Sequence, residues 1–371
     1  MPTNNNVYIT TSSSISCAGA NNEELFDNIC LGNTGIQQDN TYFHDSTPAI
    51  GHIHSCASFD ENLILQCQNI LDNSNLENFE DTLLIVGSSV GGMRRTEEIF
   101  LNTHSYKDID SKLHNIGSIT HILNQKFNFY DDIVFSTACT SSANALGYAH
   151  ETLAKGIYKN ALVVGVDSLS QTTVGGFLSL GVLSSNPCIP FDQNRDGMNV
   201  AEAIACVLVQ TTPSKNCVQL CGVGYSSDAH HMTHPHPEGL GAQQAMQQAL
   251  EKAKIKAEDI DYINAHGTGT KANDSAEANA INALFSQNKP YVSSTKSITG
   301  HTLGAAGAIE AIVCMKVIET STVPANKALE IPEHQDLNFS TQQKSFDVQY
   351  VMSNSFAFGG NNCSLIFGKV L

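Results

Sequence analysis

The chain has 371 residues, no tryptophan, and 19 Lys and Arg against 36 Asp and Glu, for a formal net charge of −17. That balance argues against nucleic acid or an anionic membrane surface as the main partner. The length allows one large core or two halves of ordinary domain size, and no apolar run approaches the roughly 20 residues that span a bilayer.

Short apolar runs alternate with helical patterns, which predicts an α/β fold. In the first half, strands are expected at Val7–Thr11, Thr82–Val86, Ile133–Ser136 and Ala161–Val166. In the second half they are expected at Ala205–Gln210, Val218–Gly222, Tyr262–Ala265, Tyr291–Ser293, Tyr350–Ser353 and Cys363–Phe367. Their continuous apolar character fits strands covered on both faces. Met-Pro-Thr-Asn-Asn-Asn at the start has neither the basic nor the apolar stretch of a secretory signal. Eleven scattered cysteines, an odd number without framework spacing, are expected to be reduced thiols of a cytoplasmic protein.

One strand ends on a cysteine and opens a helix: Val134-Phe-Ser-Thr-Ala-Cys-Thr-Ser-Ser142, with helical spacing over Ser141–Lys155 and a stop at Gly156. A helix N-terminus at Cys139 favours thiolate over thiol. A similar pattern follows later, Ser293-Ser-Thr-Lys296 and His301 before a helix from Leu303 to Ile318 that is apolar nearly all round and should be buried. The likeness predicts a pseudo-duplicated protein, halves 1–212 and 213–371, with both turns facing each other across the join. His266, in Asn264-Ala-His-Gly-Thr-Gly-Thr270, supplies a second imidazole. One cysteine and two histidines fit nucleophilic acyl transfer. Zinc is disfavoured, because neither histidine has the short-range partner that a zinc site needs. His230, His231, His234 and His236, with Asp228, are expected to form a polar loop.

The full set of motifs closely resembles the β-ketoacyl-acyl carrier protein synthases, the elongating condensing enzymes of the thiolase-like fold. It is carried by Ser136-Thr-Ala-Cys-Thr-Ser141, Asn264–Thr270, Val292–Gly307 and Asn354-Ser-Phe-Ala-Phe-Gly-Gly-Asn361, in the family's order over almost the whole chain. The resemblance implies an αβαβα layered fold and decarboxylative condensation of a malonyl carrier thioester with an acyl chain held on Cys139. It implies that His266 and His301 act as neutral N–H donors to the enolate, and that the backbone N–H groups of Cys139 and Phe358 form an oxyanion hole. Lys296 and Glu277 correspond to the family's charged pair, Thr268 and Thr270 to hydroxyls that hold the phosphopantetheine arm, and Phe358 to the gate. Phe356 corresponds to a substrate contact, and Val90 and Phe177 to the acyl-pocket wall. No cofactor is implied beyond the phosphopantetheine on the carrier. The partners implied are an acyl carrier protein and a homodimer or heterodimer mate.

Three departures stand out. Ala201-Glu-Ala-Ile-Ala205 replaces glycine-rich text, and Ala357 replaces the glycine before the gate, a strained choice if its φ is positive. Only Arg94, Arg95, Lys155 and Lys271 are at hand to meet an acidic carrier. The pathway implied is fatty-acid, aryl-polyene or polyketide-type elongation. A non-catalytic chain-length-factor-like subunit and a coenzyme A-dependent thiolase are the alternatives.

Overall fold

Ten strands of the computed structural model, which describes residues 5–43, 45–107, 109–327 and 329–370, join in one sheet. They are β1 (Tyr8–Ser16), β2 (Thr82–Gly87), β3 (Asp131–Phe135), β4 (Asn160–Asp167), β5 (Ala203–Gln210), β6 (Val218–Ser227), β7 (Tyr262–Asn264), β8 (Tyr291–Ser293), β9 (Tyr350–Phe356) and β10 (Asn361–Lys369). Their order is β8-β7-β9-β10-β6-β1-β5-β4-β2-β3. Every strand expected from the sequence is present, most with longer ends.

The topology repeats. Outward from β1, successive neighbours pair antiparallel, antiparallel, parallel, parallel. Outward from β6 the same series recurs. The two five-stranded units meet through a short antiparallel ladder, Tyr8 opposite Gln219 and Ile9 opposite Val218.

Seven helices position the site: α1 (Phe59–Asp72), α2 (Gly117–Phe127), α3 (Ser141–Ala154), α4 (Gln171–Ser179), α5 (Leu240–Ala253), α6 (Lys271–Leu284) and α7 (Ala306–Thr320). Because strand side chains alternate, each sheet unit feeds two cores. Leu83 and Ile85 face α3 and α7, whereas Leu84 and Val86 face Leu63, Ile70, Ile119 and Leu123 of α1 and α2. Met352 and Ile366 face Met246, Leu250 and Ile281 of α5 and α6 on the far side. The result is helix, sheet, helix, sheet, helix, with α3 and α7 as the central layer.

Small residues let those two helices touch. A Cβ on Gly307 would lie 2.6 Å from Ala143 N, which leaves room for nothing larger than hydrogen. The α7 N-terminus is satisfied across the same contact, where Ala308 N–H donates to Ser142 Oγ at 2.9 Å. The apolar character expected of α7 omits Glu310, which lies on it and is buried. No helix among the described residues is long and apolar enough to cross a membrane.

Candidate active site

Cys139 sits in the turn between β3 and α3. Ala138, with φ of 52°, bends the chain sharply there. Side chains hold the bend: Thr140 Oγ1 donates to Thr137 O at 2.7 Å, and Asn144 Nδ2 donates to Thr137 Oγ1 at 2.8 Å. Asn361 Oδ1 on β10 accepts from Asn144 Nδ2 at 3.0 Å and lies 2.9 Å from Thr140 Oγ1, tying the turn to the opposite half.

His266 and His301 arrive from that half. Glu277 on α6 accepts the N–H groups of His266 and Gly267 at 2.8 Å each, and Asn354 Nδ2 at 3.1 Å. His301 is clamped through its backbone: its N–H donates to Asn199 O at 2.6 Å and its carbonyl accepts Ala201 N–H at 3.0 Å. The two imidazoles stand edge to face with centroids 5.2 Å apart. Cys139, His266 and His301 present ligand-type atoms within 4.8 Å of one another.

The tautomers follow from what lies behind the rings. Leu303 N–H donates to His301 Nδ1 at 3.2 Å, so the proton belongs on Nε2, which is buried without a partner. Lys296 Nζ faces His266 Nδ1 at 3.4 Å and donates to His266 O at 2.6 Å. An ammonium only donates, so His266 also carries its proton on Nε2. Two N–H donors thus converge beside the thiol. Burial, then the Lys296 charge, holds both imidazoles well below the ordinary histidine pKa, with the His301 ring adding to the effect at His266. A cation here would have to displace an N–H proton beside a buried ammonium, so the donor set suits an anion.

Two expectations need correction. Lys296 does not pair with Glu277: it forms a fully buried ion pair with Glu310, while Glu277 serves backbone N–H groups. Cys139 is not tipped towards thiolate, because burial pushes its pKa up to about 11 despite the Lys296 charge and the backbone N–H groups of Phe358 and Cys139 against the sulfur. Alkylation of Cys139 by iodoacetamide is therefore expected to accelerate steadily from pH 7 to 9, about tenfold per unit, since only the thiolate reacts. A plateau near neutral pH in a mass-spectrometric time course would contradict it.

The cavity over the thiol holds about 550 Å³ of space continuous with solvent and is lined by Phe177, Thr268, Thr270, Phe356 and Phe358, among others. The Thr268 and Thr270 hydroxyls are 2.9 Å apart, and the Phe177 and Phe358 ring centroids 6.4 Å apart. Val90 packs in the apolar cluster that also holds Phe177, Val174 and Leu303. Ala357 is free of the expected strain, because the positive φ values fall on Gly359 and Gly360, at 86° and 76°. The candidate docking cations are largely spent: Arg94 pairs with Glu98 and Glu202, and Arg95 with Asp60. Lys271 lines the groove beside Phe358.

Residues 63–214 match the family described as β-ketoacyl synthase, N-terminal domain, and residues 218–330 match its C-terminal domain. Over 310 residues the chain is 36% identical to 3-oxoacyl-[acyl-carrier-protein] synthase 2 of Coxiella burnetii, covering 77% of this chain and 74% of the relative. It is 35% identical over 249 residues to the protein of the same name from Staphylococcus aureus strain COL, covering 63% and 60%. Among solved structures it resembles a Xenorhabdus doucetiae ketosynthase in complex with its chain length factor. That match has a TM-score of 0.88 and 33% identity, and covers 100% of this chain and 99% of the other.

Proposed function

The chain belongs to the β-ketoacyl synthase family, a condensing acyltransferase of the 3-oxoacyl-acyl carrier protein synthase class, and we propose that Cys139, His266 and His301 carry its chemistry. The observation that supports these roles best is the pair of imidazoles with Nδ1 engaged, which leaves the proton on Nε2, and with a ring nitrogen of each within 4.8 Å of the Cys139 sulfur.

In the first half-reaction the Cys139 sulfur attacks an acyl thioester on a carrier. The thiol proton leaves with the departing carrier thiol, so the exchange is proton-neutral. In the second, the malonyl carboxylate leaves as carbon dioxide and the remaining thioester oxygen becomes an enolate. Neutral His266 and His301 donate to that oxygen, and Lys296 keeps both imidazoles from protonating. The enolate carbon attacks the acyl group on sulfur, and the Cys139 and Phe358 N–H groups receive the tetrahedral oxyanion. The thiolate is expelled and takes up a proton. Thr268 and Thr270 bind the pantetheine arm in this reading, and Phe177, Phe356 and Phe358 line the path of the acyl chain.

A thiolase needs a second cysteine near the first, and no other cysteine lines this cavity among the described residues. A non-catalytic subunit would have no need of the buried Lys296–Glu310 support. We further propose a related condensing-enzyme subunit as partner and elongation of specialised, polyene-type chains. The support is the assembly named for the Xenorhabdus ketosynthase, and edge strand β3, whose flank exposes Tyr130 and Val134.

Incubation with acyl- and malonyl-carrier proteins, with products read by mass, tests the reaction. A β-ketoacyl carrier two carbons longer than the acyl donor is expected. Native mass spectrometry after co-expression with neighbouring genes tests the partner, and a fully active homodimer alone would rule the heterodimer out.

A further inference from the structure

Four histidines stand on the loop between β6 and α5, at 230, 231, 234 and 236. They meet in two pairs, with ring centroids 5.0 Å apart for His230 and His236 and 4.9 Å for His231 and His234. In the second pair the nitrogens face each other: His231 Nδ1 and His234 Nδ1 are 3.2 Å apart. Thr233 Oγ1 lies 3.3 Å from the first and 3.0 Å from the second. Three donor atoms at these separations form one face of a tetrahedron whose centre is about 2 Å from each corner, the bond length of zinc to nitrogen or oxygen.

The contact is crowded without a cation. Thr233 N–H also points at His231 Nδ1, at 3.1 Å, so several groups compete for a nitrogen with one lone pair. A divalent ion between the two nitrogens replaces these competing contacts with bonds to both. The surroundings favour positive charge: Asp228, on the same loop, has a buried Oδ1 without a hydrogen-bond partner, and its Oδ2 accepts only the His236 N–H, at 3.3 Å. Asp196 and Lys271 share the groove with His234 and offset one another.

We propose that His231 and His234 chelate a borderline divalent cation, of which Zn²⁺ is the best chemical match, with the Thr233 hydroxyl or water completing the shell. His231, Thr233 and His234 line the same cavity as Cys139, and the Met232 carbonyl accepts the Gly359 N–H at 2.8 Å. An ion held there stands at the entrance and obstructs a carrier-borne chain, which makes it a reversible inhibitor.

Titration of the full chain with Co²⁺ alone tests binding without reference to the proposed reaction. Only the inhibition arm, in which Zn²⁺ is titrated against condensation, rests on that reaction. A visible ligand-field band without a thiolate charge-transfer band is expected. His234→Ala should raise both the Co²⁺ and Zn²⁺ midpoints at least about tenfold, each variant being compared with its own metal-free rate. His230→Ala/His236→Ala should leave both midpoints in place. Midpoints unmoved by His234→Ala would overturn the proposal. So would a thiolate band lost in Cys139→Ala, which would put the ion on Cys139, His266 and His301.

Discussion

Cys139→Ala is expected to abolish condensation, by about 10⁴-fold or more, while malonyl decarboxylation survives within about tenfold. His301→Ala should do the reverse: Cys139 still becomes acylated, but decarboxylation falls about 10²- to 10³-fold, the usual cost of one lost donor to a developing oxyanion. The asymmetry follows from the two-sided construction of the site. The sulfur belongs to the β3–α3 turn, the imidazoles come from the other half, and neither needs the other's side chain to stay in place. Acyl-enzyme mass and ¹⁴C-carbon dioxide release separate the two activities in one preparation. Condensation that persists in Cys139→Ala would put the acyl chain elsewhere. Loss of both activities in either variant would mean that the two halves do not act separately.

The second large effect concerns Lys296. Its ion pair with Glu310 has both side chains almost wholly out of solvent, at 1% and 3% exposure. Removing one partner strands the other charge, so Lys296→Met or Glu310→Leu should each lower stability by about 3–5 kcal/mol. Lys296→Met/Glu310→Leu should regain most of that loss, because two apolar side chains of similar volume replace two buried charges. It should not regain decarboxylation, since His266 Nδ1 has lost its donor and the tautomer is no longer fixed. Denaturant unfolding and carbon dioxide release read the two consequences independently. A stable double variant that decarboxylates at the wild-type rate would reduce Lys296 to a structural residue.

Cys139, His266 and His301 were legible in the sequence because each lies in a short motif where local backbone and chemistry coincide. The ten strands were legible for a related reason: their apolar runs are short, continuous and bounded by polar turns. Glu310 was not, because on a helix buried on every side nothing in the local pattern tells a paired charge from an exposed one. Its partner is fixed only by how α7 packs against the turn that carries Lys296. The Cys139 thiol was misjudged for a similar reason. A helix N-terminus is visible in sequence, but the depth at which the fold buries it is not, and at this site burial outweighs the helix end.

With Nδ1 of each imidazole occupied and Nε2 protonated, neither histidine has a lone pair left with which to take a proton from water. The nearby carboxylates are held as well, Glu277 by three N–H groups and Glu310, through Oε1, by the Lys296 ammonium. A water molecule beside the thioester meets no base among these groups. On the proposed roles, an acyl group on Cys139 is therefore shielded from hydrolysis by the same proton placement that readies the site for an enolate, and the thioester can outlast the wait for its second substrate.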